Sequence, residues 1–260
     1  MRVIVNADDF GQDADCVNTT IAAMRAGAVT SATIMANMPG SHDALRFARE
    51  EQAFSFGVHL TFAGEHMETP LSRPAAVSTL LGIGDCFASP NVVRLRALAG
   101  RIRLDEVINE TRAQLSFVAD HGVAISHVDT HNHLHKMEPF RSALRDVLPE
   151  FGIERVRTAQ NVPVGLRPWR PTWWNGKRAA ARLGSLFTST DWFVMLNDGW
   201  PRDWWLDELD LLAMDGTLEF GCHPGEACAW RRLERDAAVS FAVWCDARGI
   251  ERIDWRDVGR

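Results

Sequence analysis

The chain has 260 residues, of which 46% are hydrophobic and 24% charged, with a formal net charge of −6. That balance belongs to a globular chain long enough for one α/β barrel or one large open sheet, and its acidity excludes broad nucleic-acid binding. No apolar run approaches the roughly 20 residues that cross a bilayer, and five cysteines without a CxxC pair form neither a disulfide framework nor a zinc knuckle.

The first predicted strand covers 2–7, where Val3, Ile4 and Val5 form a short buried-type run. It opens the chain directly, so no signal peptide is visible and a cytoplasmic location is expected. Asn6-Ala7-Asp8-Asp9-Phe10-Gly11 follows. Adjacent carboxylates repel, so one tends to take a cation or a proton. Read alone, however, Asp8-Asp9 is an ordinary acidic turn ahead of a helix over 13–26, which Asp13 would cap. A strand near 30–36, a helix over 41–52 and a strand at 56–61 come next. The last ends Phe56-Gly57-Val58-His59-Leu60-Thr61. Residues 62–100 contain Pro70, Pro74, Gly82, Gly84 and Pro90 and read as a long loop, the kind that forms lids and binding walls. A helix over 104–120 carries a buried stripe of Leu104, Val107, Ile108, Leu115 and Val118.

The strand at 123–129 leads into His127-Val128-Asp129-Thr130-His131-Asn132-His133-Leu134-His135, which holds four of the nine histidines. In extended chain, alternate side chains share one face, so imidazoles and a carboxylate are aimed together. That is a ligand set for a catalytic divalent metal, although one ion reaches only one or two of these histidines. A helix over 139–150 and a strand at 153–157 ending in Arg157 follow. Residues 158–190, with Pro163, Pro168 and Pro171, read as a second long loop. Further elements are a strand at 191–196, a helix at 202–214, a strand at 217–222 that runs into Cys222-His223-Pro224-Gly225, a helix at 233–247 and a last strand near 250–254.

Alternating strand and helix favours a parallel sheet with right-handed crossovers in a single domain spanning 1–260. Four strand ends carry Asp or His at the exit, where α/β folds place their chemistry. Asn6-Ala7-Asp8-Asp9-Phe10-Gly11, Gly57-Val58-His59-Leu60, the His127–His135 run and Cys222-His223-Pro224-Gly225 resemble the signature blocks of the YdjC/ChbG-type carbohydrate deacetylases, a family that includes the HpnK-like proteins. The blocks stand in the family's order. The resemblance implies a distorted (β/α) barrel of about seven or eight mostly parallel strands, and a hydrolase that removes acetyl from acetylated amino sugars with one divalent metal ion. By the same resemblance Asp9, His59 and His131 would be metal ligands, Asp8 the catalytic base and His223 a plausible acid. Arg157 matches a family arginine that points into the site.

The chemistry of these residue types agrees. Two imidazoles and a carboxylate leave positions open for water and substrate. Asp8 beside Asp9 suits proton acceptance, His223 or His127 suits donation to the departing amine, and Asp129 suits orientation of a ligand imidazole. His133 is a further candidate beside the site. Two imidazoles lean toward zinc, whereas the resemblance leaves magnesium open. The same triad serves non-haem iron oxygenases, but those usually use a double-stranded β-helix rather than alternating α/β elements. A non-catalytic sugar- or metal-binding protein would have no use for the base Asp8. Seven of the ten tryptophans lie between Trp169 and Trp205, and Trp169 and Trp173 are candidates for stacking on a pyranose face. The basic residues of 155–182 interleave with them, and the plainer reading of these is a solvated face. A symmetric homodimer is the commonest assembly for soluble oligomers, although nothing in the sequence selects it.

Overall fold

Alternate residues of the strands meet two different environments, and this division positions everything else. A computed structural model describes residues 1–65, 68–162, 171–195, 206, 209 and 215–259, those at 171–175 by backbone alone. β1 (Arg2–Phe10) turns Val3, Val5 and Ala7 to a large apolar core, whereas Ile4 belongs to a separate cluster and Asn6 hydrogen-bonds to Asp8. The other strands are β2 (Ser31–Ile34), β3 (Ser55–Leu60), β4 (Ile125–Thr130), β5 (Trp192–Met195), β6 (Thr217–Cys222) and the short β7 (Glu251–Arg252). The sheet runs β4-β3-β2-β1-β6-β5 with every pairing parallel. β7 pairs the first residues of β1, ahead of the point where β2 joins at Asn6.

The strand expected at 153–157 is present only as isolated bridges, and those bridges close the sheet. Val128 donates its amide to the Arg155 carbonyl (2.9 Å) and accepts from Arg157 (3.1 Å). On the other side Val156 donates to Thr188 (3.0 Å), and Asn161 donates to Phe193 of β5 (3.3 Å). The chain at 154–161 therefore spans the gap between β4 and β5, which turns the curled sheet into a distorted barrel.

Outside the ring lie α1 (Ala14–Arg25), α2 (Ser41–Glu50), α3 (Pro90–Leu98), α4 (Leu104–Asp120), α5 (Phe140–Val147), α6 (Pro171–Gly184) and α7 (Ala229–Ala247). Val17, Met24, Leu45, Val107, Leu115, Leu144, Phe241 and Cys245 of these helices share one buried cluster with Val58, Leu60, Val128, Leu218 and Phe220 of the strands. Helices α3 and α6 correct the reading of 62–100 and 158–190 as loops. In each case a proline that looks like punctuation sits at the first helical position, where its missing N–H has no partner to lose. The helix expected at 139–150 ends at Val147 and continues as a 3₁₀ turn, Leu148–Phe151, and the one expected from 233 already begins at Ala229. Most of the helix expected at 202–214 lies outside the described residues. No described helix is long and apolar enough to cross a membrane.

The face of α4 buries more than the expected apolar stripe. Glu110 accepts from the amides of Leu71 and Ser72, Glu106 from that of Thr79, and Gln114 exchanges bonds with the Thr61 backbone. Buried backbone donors need such partners, and these side chains fasten the long 61–80 segment to the barrel.

Inside the ring, one end is plugged. Trp255 is fully buried with Ile4, Ile253 and Val258, and its amide donates to Ser55 Oγ at 3.1 Å. His127 stacks on the Trp255 indole, with centroids 4.4 Å apart and planes 9° apart. A Cβ at residue 57 would come within 2.6 Å of that imidazole, so β3 carries Gly57 there.

Candidate metal centre

At the carboxyl ends of β1, β3 and β4, three side chains converge. Strict alternation would send Asp8 and Asp9 to opposite faces of β1. The β1–β2 register shifts between Ala7 and Phe10, and Asp9 takes φ 57°, a left-handed conformation that few residues besides glycine, asparagine and aspartate tolerate. This irregularity brings both carboxylates to the same side. His59 comes from the end of β3, where its register partner on β4 is Asp129. His131 follows β4 directly, in a 3₁₀ segment kinked at Asn132 (φ 61°) and His133 (φ 54°).

Asp9 Oδ1 lies 3.2 Å from His131 Nδ1 and 3.4 Å from His59 Nε2, and the two nitrogens are 3.3 Å apart. His59 Nδ1 lies 2.7 Å from Asp129 Oδ1. A carboxylate only accepts, so His59 donates from Nδ1 and keeps the Nε2 lone pair facing Asp9 and His131. Electron-pair donors pointed at one another repel unless a cation or proton lies among them. Burial alone would depress the His59 pKa, but the charge and hydrogen bond of Asp129, with the help of Asp9, carry it to about 10. The site thus favours positive charge at Nε2, and the donor set fits a divalent metal. Asp9 itself is held well below the usual carboxylate range: His223 and His131 outweigh the effect of its burial.

Arg157 occupies the middle of the ring, fully buried. Its Nη1 and Nη2 donate to the two oxygens of Asp8 at 2.6 Å each, and Nε and Nη2 donate to Glu219 Oε1 at 2.9 and 2.7 Å. Nη1 also pairs with Asp129, and the guanidinium lies over the Phe193 ring. One side chain thereby ties β1, β4, β5 and β6 together from within. The ligand-type atoms of Asp8, His59 and Asp129 lie within 4.8 Å of one another, so Asp8 stands beside the triad. Its burial is outweighed by Arg157, which keeps it ionised far below the ordinary range. Glu219 is pushed up to about 7, because burial prevails over the attraction of Arg157.

His223 follows β6. Its Nδ1 and its backbone N–H both contact Glu234 Oε2 at 2.8 Å, which leaves Nε2 for the site. Burial would lower its pKa, but Asp9 and Glu234 raise it to about 9.

Of the residues singled out in the sequence, Asp8, Asp9, His59, Asp129, His131, Arg157 and His223 are therefore gathered at one end of the barrel. His127 is not. It lies against Trp255 with Nδ1 2.8 Å from Ser126 Oγ, and burial together with Arg157 holds its pKa well below the imidazole range. The structure thus places His127 in the plug, apart from the residues gathered at the centre. His133 packs edge-on to His135 and to Phe193. Burial and the charge of Lys136 depress its pKa as well. Trp169 and the side chain of Trp173 lie outside the described residues.

Sequence reading missed Glu219, Glu234 and Arg231. Arg231 Nη2 donates to Asp9 Oδ2 at 2.8 Å. A signal for Arg231 was present: α7 opens with Arg231 and Arg232 in its first turn, where the helix dipole disfavours cations. Both Arg231 and Glu234 are buried, one helical turn apart on a shared face.

A family model described as YdjC-like protein matches residues 2–251. A carbohydrate deacetylase of Halalkalibacterium halodurans is 29% identical over 233 residues, covering 86% of this chain and 85% of that protein. One from Geobacillus stearothermophilus is 28% identical over 268 residues, covering 98% and 96%. Among solved structures, a protein of Enterococcus faecalis V583 whose description links it to cellobiose-phosphate cleavage superposes with a TM-score of 0.79 at 20% identity, covering 98% of this chain and 97% of its own. At that identity the likeness speaks for the fold alone.

Proposed function

This chain belongs to the YdjC-like family, and on that premise we propose that it is a metal-dependent hydrolase that removes the N-acetyl group from an acetylated amino sugar or oligosaccharide. The observation that carries this reading is the convergence of Asp9 Oδ1, His59 Nε2 and His131 Nδ1, with Asp129 fixing the His59 tautomer. The names of the relatives support the substrate class.

Asp9, His59 and His131 would hold one divalent ion, zinc or magnesium. When bound, such an ion polarises the acetyl carbonyl and acidifies a water. Asp8 is ionised throughout the neutral range and would serve as the proton acceptor. Its bidentate bond to Arg157 makes it a weak base. Arg157 in turn fixes the direction in which the Asp8 oxygens point. His223, protonated up to about pH 9, supplies the proton that the departing amine requires, and Glu234 orients it. His127 lies too deep in the plug to share that role.

The oxygenase reading uses the same three ligands but gives no role to a protonated His223 or to the clamped Asp8. An acetate-release assay over a panel of N-acetylated mono- and oligosaccharides separates the readings. Release should be abolished by chelation, restored by zinc or magnesium, and lost in Asp9→Ala, His59→Ala and His131→Ala. Chelator-resistant release, or turnover that requires oxygen, would contradict the proposal.

A further inference from the structure

The two oxygens of Asp9 are treated differently. Oδ1 faces His59 and His131, whereas Oδ2 accepts from Arg231 Nη2 at 2.8 Å. The same Nη2 donates to Gln12 Oε1 at 2.6 Å, so the guanidinium is anchored from a second direction. Its plane lies over the Trp230 ring with Cζ 4.4 Å from the centroid. The turn after His223 leaves room for its stem: a Cβ at Gly225 would lie 2.8 Å from Arg231 Cδ. Arg231 is 5% exposed, and its Nη1 is buried without a hydrogen-bond partner among the described residues. It lines a groove of about 580 Å³ with Gln12, Asn37, Glu68 and Thr69.

A carboxylate can give a metal one oxygen or two. A free Asp9 would chelate with both, which adds a protein ligand and occupies a position that water or an acetyl oxygen would otherwise take. A buried cation next to a metal centre also repels the metal, so affinity alone does not explain the placement of Arg231. Resting on the reading of Asp9, His59 and His131 as metal ligands, we propose that Arg231 is a positioning residue that restricts Asp9 to one-oxygen ligation and so keeps the centre open for substrate and water.

The test compares the full chain with Arg231→Met and Arg231→Lys for zinc affinity by calorimetry, visible absorption of the cobalt-substituted protein, and acetate release. Arg231→Met should bind zinc at least as tightly as the unsubstituted chain. Its cobalt absorption should weaken as a second Asp9 oxygen raises the coordination number, and kcat should fall by about tenfold or more. Arg231→Lys should recover part of both the spectrum and kcat. Should Arg231→Met fail to fold, Gln12→Leu, which unseats the guanidinium without deleting it, carries the same expectation at smaller size. An unchanged cobalt spectrum in a folded variant, or a loss of zinc affinity, would overturn this inference alone. Failure of the unsubstituted chain to take up any metal would overturn the centre itself, and this inference with it.

Discussion

His59 and Asp129 are register partners on adjacent parallel strands, and their side chains meet above the sheet at 2.7 Å between Nδ1 and Oδ1. That single bond decides which nitrogen of His59 carries the proton and which faces the centre. It also links the centre to Arg157, which holds Asp129 from the other side. Asp129→Asn keeps the shape but removes the charge that fixes the tautomer. Zinc affinity, measured by calorimetry, should fall by about 10- to 100-fold, with His59 still in place. An unchanged affinity would mean that Asp129 has no part in holding the ligand.

Glu234 acts on His223 in the same way, through a 2.8 Å contact at Nδ1. A general acid works while protonated, so activity should persist below the His223 pKa of about 9 and decline as pH rises through it. Glu234→Gln removes one of the three carboxylates, with Asp9 and Asp8, that raise this pKa. The alkaline limb of the kcat profile should therefore move to lower pH, while the limb on the acid side stays where it is. A limb that does not move would assign the proton to another group.

Glu219 gives a pH dependence of stability with a definite sign. Its folded pKa of about 7 exceeds the ordinary glutamate value of 4.5, so the folded chain binds the extra proton between those limits. Stability then falls as pH rises from about 4.5 to about 7, by roughly 3 kcal/mol at most. Glu219→Gln mimics the protonated form and retains an acceptor for Arg157. It should melt like the unsubstituted chain at pH 5 and at higher temperature at pH 8. Equal destabilisation at both pH values would show that the charge of Glu219 is needed.

Much of this arrangement was legible in the sequence. Val3-Ile4-Val5, Phe56-Gly57-Val58 and Thr217-Leu218-Glu219-Phe220 mark strands by apolar runs, and each run is followed within a few residues by one of the site, Asp8, His59 or His223. The rest depends on contacts across the ring. Glu219 lies inside the expected strand at 217–222, and nothing local shows that it meets Arg157, 62 residues away. His127 shares the two-residue period of Asp129 and His131, yet its depth in the barrel assigns it to the plug, and only Trp255 from the end of the chain shows how deep it sits. The closure of the ring falls across the expected strand at 153–157 and the start of the segment read as a loop from 158, and isolated bridges leave no periodicity that would join the two.

The plug gives a fourth prediction, on folding rather than chemistry. Gly57→Ala would place a Cβ within 2.7 Å of both the ring and the carbonyl of His127. Backbone cannot yield as a flexible side chain can, so the variant should lose about 1–3 kcal/mol or more in thermal or urea denaturation. Combining it with His127→Ala, which clears the ring but not the carbonyl, should restore only part of that loss. A fully stable Gly57→Ala variant would show that the packing against Trp255 is loose.

The most direct test is an anomalous-scattering map from zinc-soaked crystals. The expected result is one strong peak about 2.0–2.2 Å from Asp9 Oδ1, His59 Nε2 and His131 Nδ1, with Asp9 Oδ2 still held by Arg231. A map with no peak at that point, or with the ion held by other side chains, would contradict it.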